Sequence, residues 1–218
     1  MLAAVLYVPR LFSSYRTWIF MKENDMNKKL DKKRNTDFYL LYTAAFLAVA
    51  LALYLRFFIN GKSLVWSHDG VPQHLNSLAY YGRYLRQVLY TLFIEHKLSL
   101  PLWDMHIGYG SDILTTLHYY VIGDPLTLLA VFVPESKTEA LYAVLIFLRI
   151  YLAGIAFSRY SFYHKNSKQA TFMGTMIYIF AGWTIYAAMK HPYFSNPMIY
   201  LPLILLGIDK IYKKEKPY

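Results

Sequence analysis

The sequence contains no cysteine among its 218 residues, which excludes disulfide bonds, thiolate metal sites and a cysteine nucleophile. Charged residues make up only 17% of the chain, and 13 acidic side chains are outnumbered by 23 Lys and Arg. The sequence also lacks a glycine-rich phosphate loop and an HExxH spacing. These absences give no support to a nucleotide-driven transporter subunit or to a zinc protease.

Apolar and aromatic residues are abundant instead. The chain is 56% hydrophobic and 18% aromatic, with 22 Tyr and 14 Phe, and its net charge is +10. A basic chain often binds nucleic acid, but here the Lys and Arg cluster beside long apolar runs, which is the pattern of membrane topology. The sequence therefore predicts an all-α, multi-pass membrane protein that contacts membrane lipids and has no nucleic-acid partner.

Four apolar segments are candidate transmembrane helices: 38–59, 139–160, 169–189 and 197–211. The first has 22 residues, enough to cross a hydrocarbon core of about 30 Å. The fourth is short and contains a proline. Basic residues precede the first segment and follow the second and fourth, so the positive-inside rule places both chain ends in the cytoplasm and the loop 60–138 outside.

The two ends of the chain carry further predictions. Residues 1–37 are expected to form a basic cytoplasmic segment without a signal-peptide cleavage pattern, and translation could also start at Met21 or Met26. Residues 212–218 read as a cytoplasmic loop leading to another span. We therefore expect this chain to be the front part of a longer protein.

The outside loop contains its own apolar elements. Between His74 and His96 the apolar residues recur at helical spacing, which predicts an amphipathic helix along the membrane surface. Arg83 and Arg86 of this helix would then lie near anionic headgroups. A second apolar piece, 113–133, is interrupted by "GDP" and is expected to be a juxtamembrane or re-entrant element.

Five segments of the sequence resemble motifs of the bacterial YfhO-like membrane proteins. They occur in the same order as in that family and extend over roughly 38–218. They are "WSHDGVPQH", "LPLWDMHIGYGSD", "LHYYVIGDPLTLL", "LRIYLAGIAFSRY" and "HPYFSNPMIYLPLILLGIDK". The resemblance implies the N-terminal portion of a GT-C-type glycosyltransferase of the bacterial cell membrane. Such an enzyme would move a sugar from a polyprenyl-phosphate-linked donor to an extracytoplasmic envelope polymer such as lipoteichoic acid.

The same resemblance assigns Asp69, in the first outside loop, as the catalytic general base. A carboxylate there would accept the proton of the acceptor hydroxyl as that oxygen attacks the anomeric carbon. The alternative is that Asp69 only caps the turn that it forms with the following glycine.

Further residues are candidates for substrate binding, each with a structural alternative. Asp112 would bind acceptor or a divalent ion, or simply cap the following helix. Arg149, inside a span, would contact the donor phosphate or pair with a carboxylate in a missing span, and we favour the structural role. The remaining substrate-binding candidates are Trp66, Gln73, Arg83, Arg86, Trp103, His118 and His191, with Tyr119, Tyr120, Tyr193 and Asn196 as partners for sugar hydroxyls.

No cofactor is specified by these residues, although a divalent metal remains an option through Asp112. A different class of function also fits the composition. The chain would then be a non-catalytic transport or scaffold protein whose aromatic loop binds lipid or a partner, or an inactive fragment of the enzyme.

Overall fold

The computed structural model describes residues 36–215, so the predictions for residues 1–35 and 216–218 lie outside the described part. The chain divides into two compact units, Met1–Ala48 and Val49–Tyr218. The described part of the first unit is the start of helix α1, and everything below concerns the second unit.

The described residues are mostly helical, as the sequence predicts. The helices are α1 (Thr36–Ile59), α2 (Asn76–Phe93), α3 (Ile113–Leu117), α4 (Thr138–Tyr163), α5 (Lys168–Ile179), α6 (Gly182–Lys190) and α7 (Asn196–Tyr212). Shorter elements are a π-helical turn at Gly70–Leu75, 3-10 turns at Pro125–Phe132, Glu135–Lys137 and Pro192–Ser195, and an antiparallel pair of two-residue strands, β1 (Trp103–Asp104) and β2 (Ser111–Asp112).

Two helices are long and apolar enough to cross a membrane: α1, and α4 together with the 3-10 turn before it. The third predicted span, 169–189, is not one helix, because α5 and α6 meet at a bend of 44°. Together these two helices would make a third crossing. The fourth predicted span corresponds to α7, whose 17 residues fall short of the roughly 20 that a straight crossing needs. The structure thus supports two or three of the four predicted spans.

The bend between α5 and α6 has a local cause. Helix α5 ends at Ile179 and α6 begins at Gly182, so the regular backbone hydrogen bonds stop between them. The hydroxyl of Thr184 donates to the carbonyl of Tyr178 at 3.3 Å and partly satisfies an acceptor freed by the break. A side-chain hydroxyl that bonds a freed carbonyl is a common way to stabilise a helix break in an apolar setting.

Helices α4 and α7 pack side by side and run in the same direction. Near the start of α7, Asn196 accepts a hydrogen bond from Arg149 in the first half of α4 at 3.0 Å. Near the other ends of the two helices, His164 and Asp209 are bonded at 2.9 Å. Lys210 and Lys213 lie at that same end, next to Asp209 in the sequence. The second unit therefore has a basic end at the C-termini of α4 and α7, and an opposite end where α7 begins.

The predicted amphipathic helix is present as α2, but its apolar face does not all point to lipid. Leu78 and Gly82 are buried where α2 packs on the 3-10 turn Pro125–Phe132. The polar residue Thr91 is buried as well, whereas the apolar Leu89 and Phe93 stay exposed. Periodicity located the helix correctly but could not show which part of its surface a neighbouring turn would cover.

Candidate functional site

Asp69 lies at the start of the π-helical turn, at the end of the second unit where α7 begins. Its backbone carbonyl accepts hydrogen bonds from the N–H groups of both Gln73 and His74, each at 3.2 Å. The bond to His74 spans five residues, which defines a π-helical turn, a feature frequent at functional sites. The Gln73 side chain also reaches Asp69 Oδ1, at 3.5 Å. Asp69 thereby keeps its carboxylate at the surface, with the side chain 34% exposed.

His191 approaches the Asp69 carboxylate from a distant part of the sequence. It follows the last residue of α6, and its Nε2 lies 3.5 Å from Asp69 Oδ2. Its other ring nitrogen, Nδ1, lies 3.0 Å from His74 Nε2. Asp69, His191 and His74 thus form a continuous polar chain, which we call the carboxylate–imidazole chain.

His74 is the buried end of the carboxylate–imidazole chain. Its side chain is fully buried and is surrounded by the rings of Tyr119, Tyr120 and Tyr193, with centroids 5.4–6.3 Å away. Burial, together with smaller contributions from His191 and Arg149, lowers the pKa of His74 to about 4, whereas Asp69 acts in the opposite direction. At neutral pH, His74 is therefore uncharged.

The burial of His74 also assigns the protons along the carboxylate–imidazole chain. Its Nδ1 has no hydrogen-bond partner in the described part of the protein. A buried N–H without an acceptor is rarer than an acceptor without a donor, so the proton of His74 is assigned to Nε2. His74 then donates to His191 Nδ1, which leaves His191 Nε2 facing Asp69. The two imidazoles thus lie in line behind the Asp69 carboxylate, and the buried one, His74, is uncharged.

The buried neutral state of His74 predicts an acid-sensitive fold. An unfolded His74 would bind a proton with an ordinary pKa of 6.5, while the folded protein does so only near 4. The free energy of unfolding should therefore decrease as the pH falls from about 6.5 to about 4, by up to about 3 kcal/mol. Thermal unfolding in detergent across this pH range measures the effect.

Two variants separate this effect from general acid sensitivity. His74→Gln removes the titrating group and should flatten the pH dependence, whereas His96→Gln should leave it unchanged, because His96 is exposed and is not paired with a carboxylate in the described part of the chain. An identical pH dependence in the wild type and in His74→Gln would contradict the assignment.

Arg149 lies in a second polar cluster beside the carboxylate–imidazole chain. Its guanidinium is 2% exposed and donates to Asp124 Oδ2 at 2.6 Å and to Asn196 Oδ1 at 3.0 Å. Asn196 in turn donates to the same oxygen of Asp124 at 3.0 Å. The expectation that Arg149 pairs with a carboxylate in a missing span was wrong: its partner is Asp124 of this chain. The ring of Tyr193, 4.9 Å from the guanidinium carbon, connects this cluster to His74.

Gln73 and Trp66 lie beside Asp69. The side-chain oxygen of Gln73, Oε1, accepts a hydrogen bond from the hydroxyl of Tyr120 at 3.1 Å. Trp66 packs edge-on against Tyr186 of α6, with ring centroids 5.9 Å apart. The structure therefore brings together Asp69, Gln73 and His191, three of the residues that the sequence proposes for one site.

Other predicted site residues have structural contacts elsewhere. Arg86 donates to the carbonyls of Ala130 and Val133, and Arg83 pairs with Glu135 at 2.6 Å. His118 Nδ1 bonds the carbonyl of Thr115 at 2.6 Å. Asp112 caps α3 by accepting the N–H of Thr115 at 2.7 Å.

Trp103 is the cross-strand partner of Asp112, so it belongs to the hairpin formed by β1 and β2. Asp112 is thus occupied as a helix cap, and among residues 36–215 no group of three or more metal-binding side chains could hold a metal ion.

His74 is the site residue whose position sequence reasoning missed. Nothing in its neighbourhood distinguishes it from a histidine at the membrane surface, and its partner His191 is 117 residues away. The one sequence signal for His74 is its position five residues after Asp69, in a segment that contains both glycine and proline. This spacing links His74 to Asp69 only once the turn is known to be π-helical.

Chemically, the arrangement presents one partly exposed carboxylate that faces an imidazole nitrogen in an aromatic surrounding. Such a group can accept a proton from a hydroxyl bound in front of it. In a comparison with known proteins, the family described as bacterial membrane protein YfhO matches residues 41–218. No curated protein and no solved structure matches the chain.

Proposed function

Because the chain belongs to the family of bacterial membrane protein YfhO, we propose that it is the catalytic N-terminal part of a membrane glycosyltransferase. The observation that carries the proposal is the carboxylate–imidazole chain, which leaves Asp69 exposed and oriented at one end of the helix pair α4 and α7. The donor would be a sugar linked to polyprenyl phosphate, and the acceptor a hydroxyl of a cell-envelope polymer such as lipoteichoic acid.

In the proposed reaction, Asp69 accepts the proton of the acceptor hydroxyl while the acceptor oxygen forms a bond to the anomeric carbon. The bond between that carbon and the phosphate oxygen breaks, and the phosphate leaves with the electron pair. His191 keeps the carboxylate in place through its Nε2 proton, and His74 fixes the ring of His191. Gln73 and Trp66 are proposed to contact the sugar beside Asp69.

We further propose that this site faces the outside of the cell. The parallel packing of α4 and α7 collects Lys210 and Lys213 at the end opposite to Asp69, and the positive-inside rule assigns such a basic end to the cytoplasm. A lipid-linked donor has its phosphate at the membrane surface. Asp69, at one end of the helix pair α4 and α7, would lie at the same depth. A nucleotide sugar, made in the cytoplasm, would not reach an outward-facing Asp69.

The donor class provides the direct test of this function. Membrane vesicles from cells that express the gene encoding this chain, and from cells that lack it, are given radiolabelled hexose either on polyprenyl phosphate or on a nucleotide. Label on the envelope polymer is expected only from the polyprenyl-phosphate donor and only with the gene present.

In the nucleotide-sugar arm, unlabelled polyprenyl phosphate is omitted, and the enzymes that form the lipid-linked donor are deleted in both strains. Direct transfer from the nucleotide would contradict the proposed donor. Gene-dependent lipid or ion flux without any sugar transfer would instead support the transport or scaffold function.

A further inference from the structure

A cavity of about 570 Å³ lies beside helix α2. None of its lining residues belongs to the carboxylate–imidazole chain. Its walls are formed by α2 and by the β1–β2 hairpin. Cavities of this size are typical of small-molecule sites. Unlike a lipid-binding groove, this cavity contains several polar side chains: Arg83, Gln87, Asp104 and His106.

Trp103 offers a fixed aromatic surface in this cavity. Its indole N–H donates to the sulfur of Met105 at 3.3 Å, and the ring lies against the backbone of Gly110. A Cβ on Gly110 would lie 3.3 Å from the ring and 3.0 Å from that sulfur, and the φ of +109° at this residue favours glycine. Although held in this way, the Trp103 side chain remains 60% exposed. An aromatic face that is immobilised yet open is suited to stacking on a flat ligand.

Asp104 supplies a permanent acceptor beside that surface. Hydrogen bonds from the backbone N–H of His106, the hydroxyl of Tyr80 and the His106 ring lower the pKa of Asp104 to about 2. The bonds are 2.7–2.8 Å long, so the carboxylate is oriented as well as ionised. Three of its roughly four acceptor positions are taken by these bonds, and the remaining one, on Oδ2, can accept a hydroxyl group of a ligand.

Gln87 adds an unused amide to the cavity wall. Its side chain is exposed and makes no hydrogen bond in the part of the chain that the structure describes. An amide offers two donor hydrogens and an acceptor, which complements a ligand with several hydroxyl groups. Because the adjacent Arg83 is paired with Glu135, its charge is neutralised, while the ionised Asp104 adds a negative charge to the cavity. A neutral ligand therefore fits this cavity better than a phosphate chain.

From these features we propose that the cavity between α2 and the β1–β2 hairpin binds a neutral saccharide, with Trp103 stacking on the sugar ring and Asp104 and Gln87 binding its hydroxyl groups. One face of a pyranose ring carries C–H groups that pack on an aromatic face, while its hydroxyls point sideways. The identification of this saccharide with the glycan of the acceptor polymer rests on the proposed function, but saccharide binding by the cavity does not.

The test measures saccharide binding without any donor. The purified protein, in a detergent without sugar headgroups, is titrated with cellobiose, maltose or glycerol phosphate and followed by saturation-transfer NMR. Disaccharide binding in the millimolar range is expected, with little or no binding of glycerol phosphate. Trp103→Ala should weaken disaccharide binding by about tenfold, and Gln87→Ala should weaken it by a smaller factor.

Trp183→Ala is the matched control, because Trp183 is 57% exposed but belongs to a different helix and not to this cavity. This variant should bind like the wild type. Gln87→Ala also guards against a folding defect of Trp103→Ala, since the exposed Gln87 amide has no internal partner to lose.

The outcomes are distinct from those that test the proposed function. Asp69→Asn should bind the disaccharide like the wild type. Loss of sugar transfer with retained disaccharide binding would then show a role of Asp69 in transfer and leave the saccharide-binding proposal intact. Equal affinity in the wild type and in Trp103→Ala and Gln87→Ala, or no disaccharide binding by the wild type, would overturn the proposal. Preference for glycerol phosphate would overturn it too, because the ligand would then be anionic. If polyprenyl-phosphate hexose binds and the disaccharide displaces it, the cavity holds the donor sugar. That result would refute only the identification of the saccharide with the acceptor polymer.

Discussion

Replacing Asp69 with asparagine is expected to lower the rate of sugar transfer by about 10²–10⁴-fold, the usual contribution of a positioned general base. The amide has nearly the same shape as the carboxylate and can keep its oxygen facing His191 Nε2, 3.5 Å away in the wild type, so the site should keep its geometry. It cannot take a proton from the acceptor hydroxyl. The rate of label transfer from polyprenyl-phosphate hexose, normalised to the amount of protein in the membrane, measures this effect.

Asp209 provides a closely matched control for Asp69. It too is 34% exposed and is bonded to a histidine, His164, but at the basic end of α4 and α7. Asp209→Asn should therefore leave the transfer rate close to that of the wild type. A similar loss in both variants would indicate a general effect of removing a histidine-bound carboxylate, and full activity of Asp69→Asn would rule out Asp69 as the base.

Replacing Arg149 with methionine is expected to destabilise the protein by about 3–5 kcal/mol, the usual result of removing one partner of a buried ion pair. Asp124 would keep its carboxylate in a site where it is only 6% exposed and would lose its charged partner. The amide of Asn196 would remain as its donor, together with the backbone N–H of Leu126. Thermal unfolding of the purified protein in detergent measures the loss.

The double variant Arg149→Met, Asp124→Leu tests the cause of that loss. Removing both charges replaces the ion pair with apolar side chains, so this protein should be more stable than Arg149→Met alone. Arg159→Met, in the same helix but without a buried ion pair, is the control and should change stability little. The single variants Arg149→Met and Asp124→Leu each lower the free energy of unfolding by some amount. If the double variant loses the sum of these two amounts, the two side chains do not act as a pair.

The candidate site shows how far sequence reasoning reaches. Asp69 and His191 were each selected as functional residues, one as the base and one as a substrate contact. Their proximity was not predicted, because hydrogen bonding between His74 and His191 joins segments separated by more than half the chain. Neither segment has a periodicity that indicates the other. Nothing in the sequence distinguishes His74 from an interfacial histidine, since its burial by Tyr119, Tyr120 and Tyr193 is a property of the folded protein.

The arginines show the same limit. Each arginine carries a charge that needs a partner, and phosphate or lipid headgroups are reasonable partners for Arg83 and Arg86 on sequence grounds. In the structure, Arg86 instead bonds carbonyl groups at the end of the 3-10 turn Pro125–Phe132. Carbonyl groups are present on every residue, so a sequence gives no indication of which ones will be left free at a turn.

The sequence by itself determined the features that depend on nearest neighbours along the chain. Apolar runs of sufficient length produced α1 and α4, helical spacing produced α2, and Asp112 before an apolar run produced a helix cap. Tertiary structure decided the features that depend on distant groups. The break between α5 and α6, the pairing of Arg149 with Asp124, and the carboxylate–imidazole chain arise because buried polar groups must find partners wherever the fold presents them.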